Sequence, residues 1–281
     1  MRLSDAPISK PAGRGVPIYQ IDAFADRLFS GNPAAVMLLD EFPNDTRLSA
    51  LAAENNLAET AFLVPEGGDY RLRWFTPTVE VPLCGHATLA SAAAVCERIE
   101  PGRSEVRFQT ASGWLTARRR ADGKYAIDLP TRRTRPPKDA ETLRKSVAAA
   151  IGADVAHVEV NAVDVLAEMA DGSLLPSITP DIALILGLPT KGLIVTAGPN
   201  GDYDFRSRYF TPANGIPEDP VTGGAHTALV PYWAARLGKS RFLARQCSAR
   251  GGVIDCSIEQ ETVTLVGDCV FYMEGLACIV G

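Results

Sequence analysis

Polar and apolar residues alternate in short bursts along most of the chain. YRLRWF (70–75) and FRSRYF (205–210) both alternate and both run into Thr-Pro, so each predicts a strand entering a loop. Further strand-length runs are VPIYQIDAFA, AAVMLL, TAFLVP, EVRFQT, GWLTARRR and YAIDLP in the first half. LIVTA, GGVIDCSIE, TVTLVG and VFYMEGLACIV follow in the second. Two helical stretches lack the usual polar face. HATLASAAAVCE, over 86–97, is small and apolar on nearly every side and must be enclosed all round. The stretch over 225–237 is also mostly apolar, and Pro231 is expected to bend it. Peripheral helices are predicted over 46–55, over 140–151 and near 181–186.

The first pattern occurs twice. DYRLRWFTP (69–77) and DFRSRYFTP (204–212) agree at six of nine positions, and two more exchange one aromatic ring for another. A three-residue insertion follows in the second copy. EVPLCGHA (80–87) then matches EDPVTGGA (218–225) at Glu, Pro, Gly and Ala. Two copies so far apart are too few and too long for a solenoid. They predict an α+β fold of two pseudo-symmetric domains, each a β-barrel-like sheet curled around one central helix. A polar arm is expected over 1–15, a first domain over 16–131 and a second over 137–281. The Pro- and Arg-rich stretch TRRTRPPKD (131–139) marks the boundary. Whether the last strand, GLACIV, returns to complete the first domain is left open by the pattern.

Charge and cysteines narrow the function classes. A net charge of -5, with no run of Lys or Arg longer than three, excludes a basic stripe for nucleic acid. The Arg clusters at 118–120 and 132–135 are expected to be solvated hairpin or loop charges. No apolar stretch reaches membrane-spanning length. MRLSDAPISKPAGRGV lacks the apolar core of a signal peptide, so a cytoplasmic protein is expected. None of the six cysteines forms a CxxC pair. Only Cys84 and His86 lie close in sequence, so neither disulfides nor a metal site are expected. Neither glycine loop matches GxGxxG or a P-loop, and no nucleotide cofactor is expected.

The chemistry is sought where each glycine loop opens a helix, because free N–H groups there attract an anion such as a substrate carboxylate. Two such helix ends facing each other would form a cleft for a small molecule. The titratable candidates are Glu59, Glu80, Cys84, His86, Glu218, Asp219 and His226. Glu59 sits where a helix ends at Asn55–Asn56 and the apolar run AFLV begins. It is either a partly buried proton shuttle or an ordinary loop carboxylate. His86, in the first turn of the central helix, is either a ligand contact or a buried hydrogen-bonded histidine. Asp219 caps the second helix, binds substrate, or both, and Thr222 is a second candidate cap. His157 and His226 read as structural or exposed. Cys84, at a helix N-terminus, has the position of a thiolate base. A two-thiol racemase would need its partner at position 222, which is Thr. No GxSxG motif supports a hydrolase.

The segments IYQIDAFADRLFSGNPAAVMLL, NNLAETAFLV, FTPTVEVPLCGHATLA and RYFTPANGIPEDPVTGGAHTALVPYWAARLGK resemble the PhzF-like proteins of phenazine biosynthesis. That family is similar in fold to diaminopimelate epimerase and proline racemase. The resemblance runs from about Val16 to the C-terminus. It implies a homodimer of two-domain chains, an active site between the domains, and cofactor-independent proton transfer. In the phenazine enzyme a glutamate moves a proton along trans-2,3-dihydro-3-hydroxyanthranilate. By this resemblance Glu59 of NxxET, His86 of CGHAT and Asp219 of EDPxTG are the catalytic residues. Gly85, Gly223 and Gly224 hold the substrate's acid group. Family members often read TGSA in the second loop, with a serine that contacts substrate. Gly224 stands there instead, which removes a hydroxyl and points to a different substrate. The reading is an isomerase acting on a small carboxylate-bearing metabolite. The alternatives are an epimerase or racemase using Cys84 with a second acid, and a non-catalytic metabolite-binding protein.

Overall fold

The computed structural model of the chain describes residues 15–279. The arm expected over 1–15 lies outside these residues except for Gly15, which opens the first strand. The first half contains β1 (Gly15–Ala23), β2 (Asn32–Leu38), α1 (Asp45–Asn55), β3 (Glu59–Glu66), β4 (Asp69–Phe75), β5 (Glu80–Val81), α2 (Gly85–Ala94), β6 (Glu105–Thr110), β7 (Gly113–Arg119) and β8 (Tyr125–Pro130). The second contains α3 (Ala140–Ile151), β9 (Val155–Val160), β10 (Asp164–Met169), α4 (Ile182–Leu186), β11 (Gly192–Ala197), β12 (Phe205–Thr211), β13 (Ile216–Asp219), α5 (Gly223–Leu237), β14 (Arg241–Gln246), β15 (Gly252–Glu259), β16 (Thr262–Gly267) and β17 (Cys269–Cys278).

The duplication is visible in the strand pairing. β2 runs parallel to β3 as β10 does to β11, and β4 runs parallel to β6 as β12 does to β14. β8 pairs antiparallel with β16, joining the last strands of the two repeats. β17 returns to lie antiparallel against β1, with a bulge at Gln20/Ile21. Its other edge makes no ladder among the described residues, and Tyr272, Met273 and Leu276 are exposed along it. The repeated Arg and Glu also take the same job twice. Arg73 grips Glu80 through two bonds of 2.7 Å, and Arg208 grips Glu218 through two of 2.7 Å. Each fork ties a central strand to the short strand that leads into a glycine loop.

Each repeat wraps its sheet around one helix. All ten residues of α2 are buried, as its apolar composition requires. Its two hydroxyls cost little in that interior because they bond within the helix. Thr88 donates to Cys84 O at 2.5 Å and Ser91 to Ala87 O at 2.7 Å. The helix continues as a π turn over Val95–Ile99. α5 runs unbroken through Pro231. Proline cannot donate to Thr227 O one turn back, and the backbone N–H of Arg132 takes that acceptor at 3.0 Å. Smaller apolar clusters lie under α3, with Val147, Val165 and Phe210, and under α1, with Leu48, Phe62 and Phe75. No helix among the described residues is long and apolar enough to cross a membrane.

Candidate active site

α2 and α5 meet head to head. A Cβ on Gly85 would stand 3.4 Å from Gly223 Cα, and one on Gly223 would stand 3.3 Å from Gly85 Cα. A Cβ at either position would come up against the opposite backbone, and the glycine pair leaves that space open. Neither N-cap residue, Cys84 or Thr222, caps its helix with its side chain. The capping roles expected of Asp219 and Thr222 are therefore corrected. Thr222 Oγ1 donates instead to Asp219 Oδ2 at 2.5 Å. Both helix ends keep their N–H groups free of side-chain caps at the floor of a cavity of about 950 Å³.

Glu59, His86, Asp219, Gly85, Gly223 and Gly224 all line this cavity. α1 ends on Asn56 in the left-handed conformation (φ 49°), and β3 begins at Glu59. That turn buries the Glu59 side chain at the mouth of α2. Glu59 Oε2 lies 3.1 Å from His86 Nε2, without the alignment of a hydrogen bond, so both atoms are buried and unsatisfied. Such groups demand a further partner in a dry site.

Asn32, fully buried at the start of β2, connects these groups. Its amide nitrogen is 2.7 Å from Asp219 Oδ1, 2.9 Å from Val221 O and 3.1 Å from His86 Nδ1. The carboxylate and the carbonyl require that this atom be the N–H₂ group. His86 Nδ1 thus faces an N–H donor, and a neutral His86 holds its hydrogen on Nε2, toward Glu59. The imidazolium also carries one there, so Glu59 faces an N–H in both charge states. Gln246 supports the other helix end, donating to Asp219 O at 2.7 Å and accepting from Thr222 N at 2.8 Å.

The local electrostatics separate the candidates. Burial and the nearby Glu59 carboxylate raise Asp219 from 3.8 to about 6, against the donors Thr222 and Asn32. Burial opposes a charged His86, while the Glu59 carboxylate beside its Nε2 favours it and raises its pKa. The Cys84 thiol is pushed up to about 11 by burial and by Glu59. It sits 3.5 Å from His86 Nδ1. Glu59, Cys84 and His86 offer three ligand atoms within 4.8 Å of one another, a spacing that could hold a metal ion, provided the thiol loses its proton. Glu80 and Glu218 are held in their arginine forks. His226 is buried, bonds to Thr222 O at 2.8 Å and lies outside the cavity lining. Burial lowers its pKa to about 4. His157 is half exposed, 3.0 Å from Glu159.

Three contributors were not among the expected residues: Asn32, Gln246 and Arg132. The first was legible as a lone amide opening an apolar strand. Arg132 corrects the reading of 132–135 as solvated charge, because it lines the cavity with a nitrogen 3.4 Å from where a Gly224 Cβ would stand. Its guanidinium has no carboxylate partner within ion-pair distance among the described residues.

The family profile described as phenazine biosynthesis-like protein matches residues 21–275. The chain belongs to this family. A family relative in Pseudomonas aeruginosa, described as an uncharacterized isomerase, is 47% identical over 259 residues, spanning 92% of this chain and 97% of that protein. The crystal structure of a PhzF-family protein from Enterococcus faecalis superposes with a TM-score of 0.87 at 36% identity, covering 94% of this chain and 99% of that one. A hydroxyproline epimerase from Agrobacterium vitis shares the fold alone, with a TM-score of 0.61 at 12% identity over 94% of this chain and 92% of that one. This family member is an isomerase with the two-domain, epimerase-like architecture.

Proposed function

We propose that the protein isomerises a small carboxylate-bearing metabolite in the cleft between its two repeats, without a cofactor, using Glu59 as general base and acid. The observation that carries this reading is the buried Glu59 carboxylate facing the His86 N–H beside two uncapped helix ends. The substrate's acid group would sit on the N–H groups of Gly85, Gly223 and Gly224, where both helix dipoles favour an anion. Glu59 would remove a proton from an adjacent carbon. The electron pair would delocalise into the substrate's conjugated acceptor, and the same proton would return to another carbon on that face. His86 and Asp219, tied together through Asn32, would keep Glu59 aimed. The high pKa of Cys84 argues against a thiolate base at neutral pH.

The test is solvent deuterium uptake by small cyclic and amino acids incubated with the protein. A substrate should gain deuterium at carbon. Tight binding without exchange would reduce the protein to a binding module. Arg132 would pair with the acid group next to Gly224, where the family serine is missing. Arg132→Ala should raise KM about tenfold or more and change kcat little, because it removes binding shared by ground and transition states. An unchanged KM would remove Arg132 from the site. The homodimer belongs to the same proposal, with the open edge of β17 as the available surface. A monomeric mass by sedimentation would rule it out.

A further inference from the structure

A second cavity, of about 480 Å³, shares no lining residue with the first. Arg206, Arg208 and Arg245 line it with Tyr203 and Cys247, and Glu218 is its only carboxylate among the described residues. That carboxylate is fully engaged by the Arg208 fork. Arg206 is only 8% exposed. It donates to Gly172 O at 3.0 Å, its Nε is buried without a hydrogen-bond partner, and no carboxylate pairs with it among the described residues. Arg245 bonds to the Tyr203 hydroxyl at 3.2 Å and likewise has no such carboxylate.

The strand register sharpens the point. Arg206 on β12 is the direct partner of Arg245 on β14, so like charges stand opposite each other. The duplicated half supplies a control within the same chain. There Arg71 takes the place of Arg206, is exposed, and faces the neutral Gln109. Nothing in the fold therefore demands two cations here. A buried guanidinium without an anion is strongly unfavourable. Burial raises the Cys247 thiol, while Arg245, Arg206 and Arg208 all pull it down, so one point in the cavity feels all three guanidiniums.

We infer that this cavity is an anion site, in which Arg206 and Arg245 hold a small oxyanion ligand carrying two negative charges, of the phosphate or dicarboxylate kind. Planar guanidinium forks suit either set of oxygens. Inorganic phosphate and succinate, titrated separately into the full chain at constant ionic strength, test this by thermal unfolding. At least one should raise Tm saturably, by about 5 °C at a hundredfold excess over half-saturation. The lower half-saturation shows which acid the ligand resembles. Arg245→Gln, at a partly exposed position that tolerates the change, should abolish the rise, and Arg132→Ala should leave it intact. Absence of a saturable rise with both anions, or a rise that survives Arg245→Gln, would overturn the site. Loss of the rise in Arg132→Ala would do so too, by placing the anion in the active-site cavity.

Discussion

Glu59→Gln should lose about 10²- to 10⁴-fold in turnover and in solvent deuterium exchange, the usual scale for a positioned general acid–base. The substitution keeps size and shape, so Gln can occupy the same place beside His86 Nε2, which lies 3.1 Å from Glu59 Oε2 in the wild type. Binding should therefore survive, because the helix N–H groups and Arg132 are untouched. Melting temperature should change little, since the exchange removes a buried charge and keeps the packing. The decisive measurement is kcat and deuterium uptake side by side. A Gln variant that turned over like the wild type would take the proton shuttle away from residue 59. The loss should also exceed that of Cys84→Ala, whose thiol is protonated at neutral pH.

Asp219→Asn should make the protein more stable at pH 8 than the wild type, relative to the same comparison at pH 4. The native pKa of about 6 lies above the ordinary 3.8, so the folded state binds this proton more tightly than the unfolded chain. The resulting stabilisation is complete below pH 3.8, falls as pH rises toward 6, and is gone above that. A shift of this size corresponds to about 3 kcal/mol. Urea unfolding of both proteins across pH 4 to 8 measures the difference directly, with other titrations cancelling between them. Between pH 4, where the unfolded carboxyl is already partly ionised, and pH 8 the gap should move in favour of Asn by about 2.5 kcal/mol and level off above pH 6. A gap independent of pH would show that Asp219 titrates as it does in the unfolded chain. The variant should lose activity while gaining this stability, as a site that keeps a buried charge for function would.

Much of the architecture was legible because its signals are local. Alternation marked β4 and β12, uniform apolarity marked α2 as enclosed, and repeated residues revealed the duplication. Five strands escaped that reading: the short β5 and β13, which lie in stretches read as loops, and β9, β10 and β14. DVLAEM and RFLARQ are rich in Ala, Glu, Leu, Met and Arg, which favour helix, and cross-strand pairing overrides that preference. The forks at Arg73 and Arg208 could have been suspected, since Arg and Glu recur together in both copies.

The catalytic candidates divide along the same line. Glu59, His86, Asp219 and the three glycines stand in short motifs, and the family resemblance carried by those motifs singled them out among the open alternatives. What joins them does not. Asn32 and Asp219 are 187 residues apart in sequence and 2.7 Å apart in space. Arg132 resembled any linker arginine until its backbone N–H filled the acceptor left by Pro231 and carried its side chain to Gly224. Arg206 and Arg245 became neighbours only through the β12–β14 register. The chain by itself determined the elements, their duplication and the residue types at each helix mouth, because propensity and periodicity act over a few residues. Tertiary structure decided which charges are buried, which are paired and which are left facing a cavity, because those depend on strand register and on the meeting of α2 with α5.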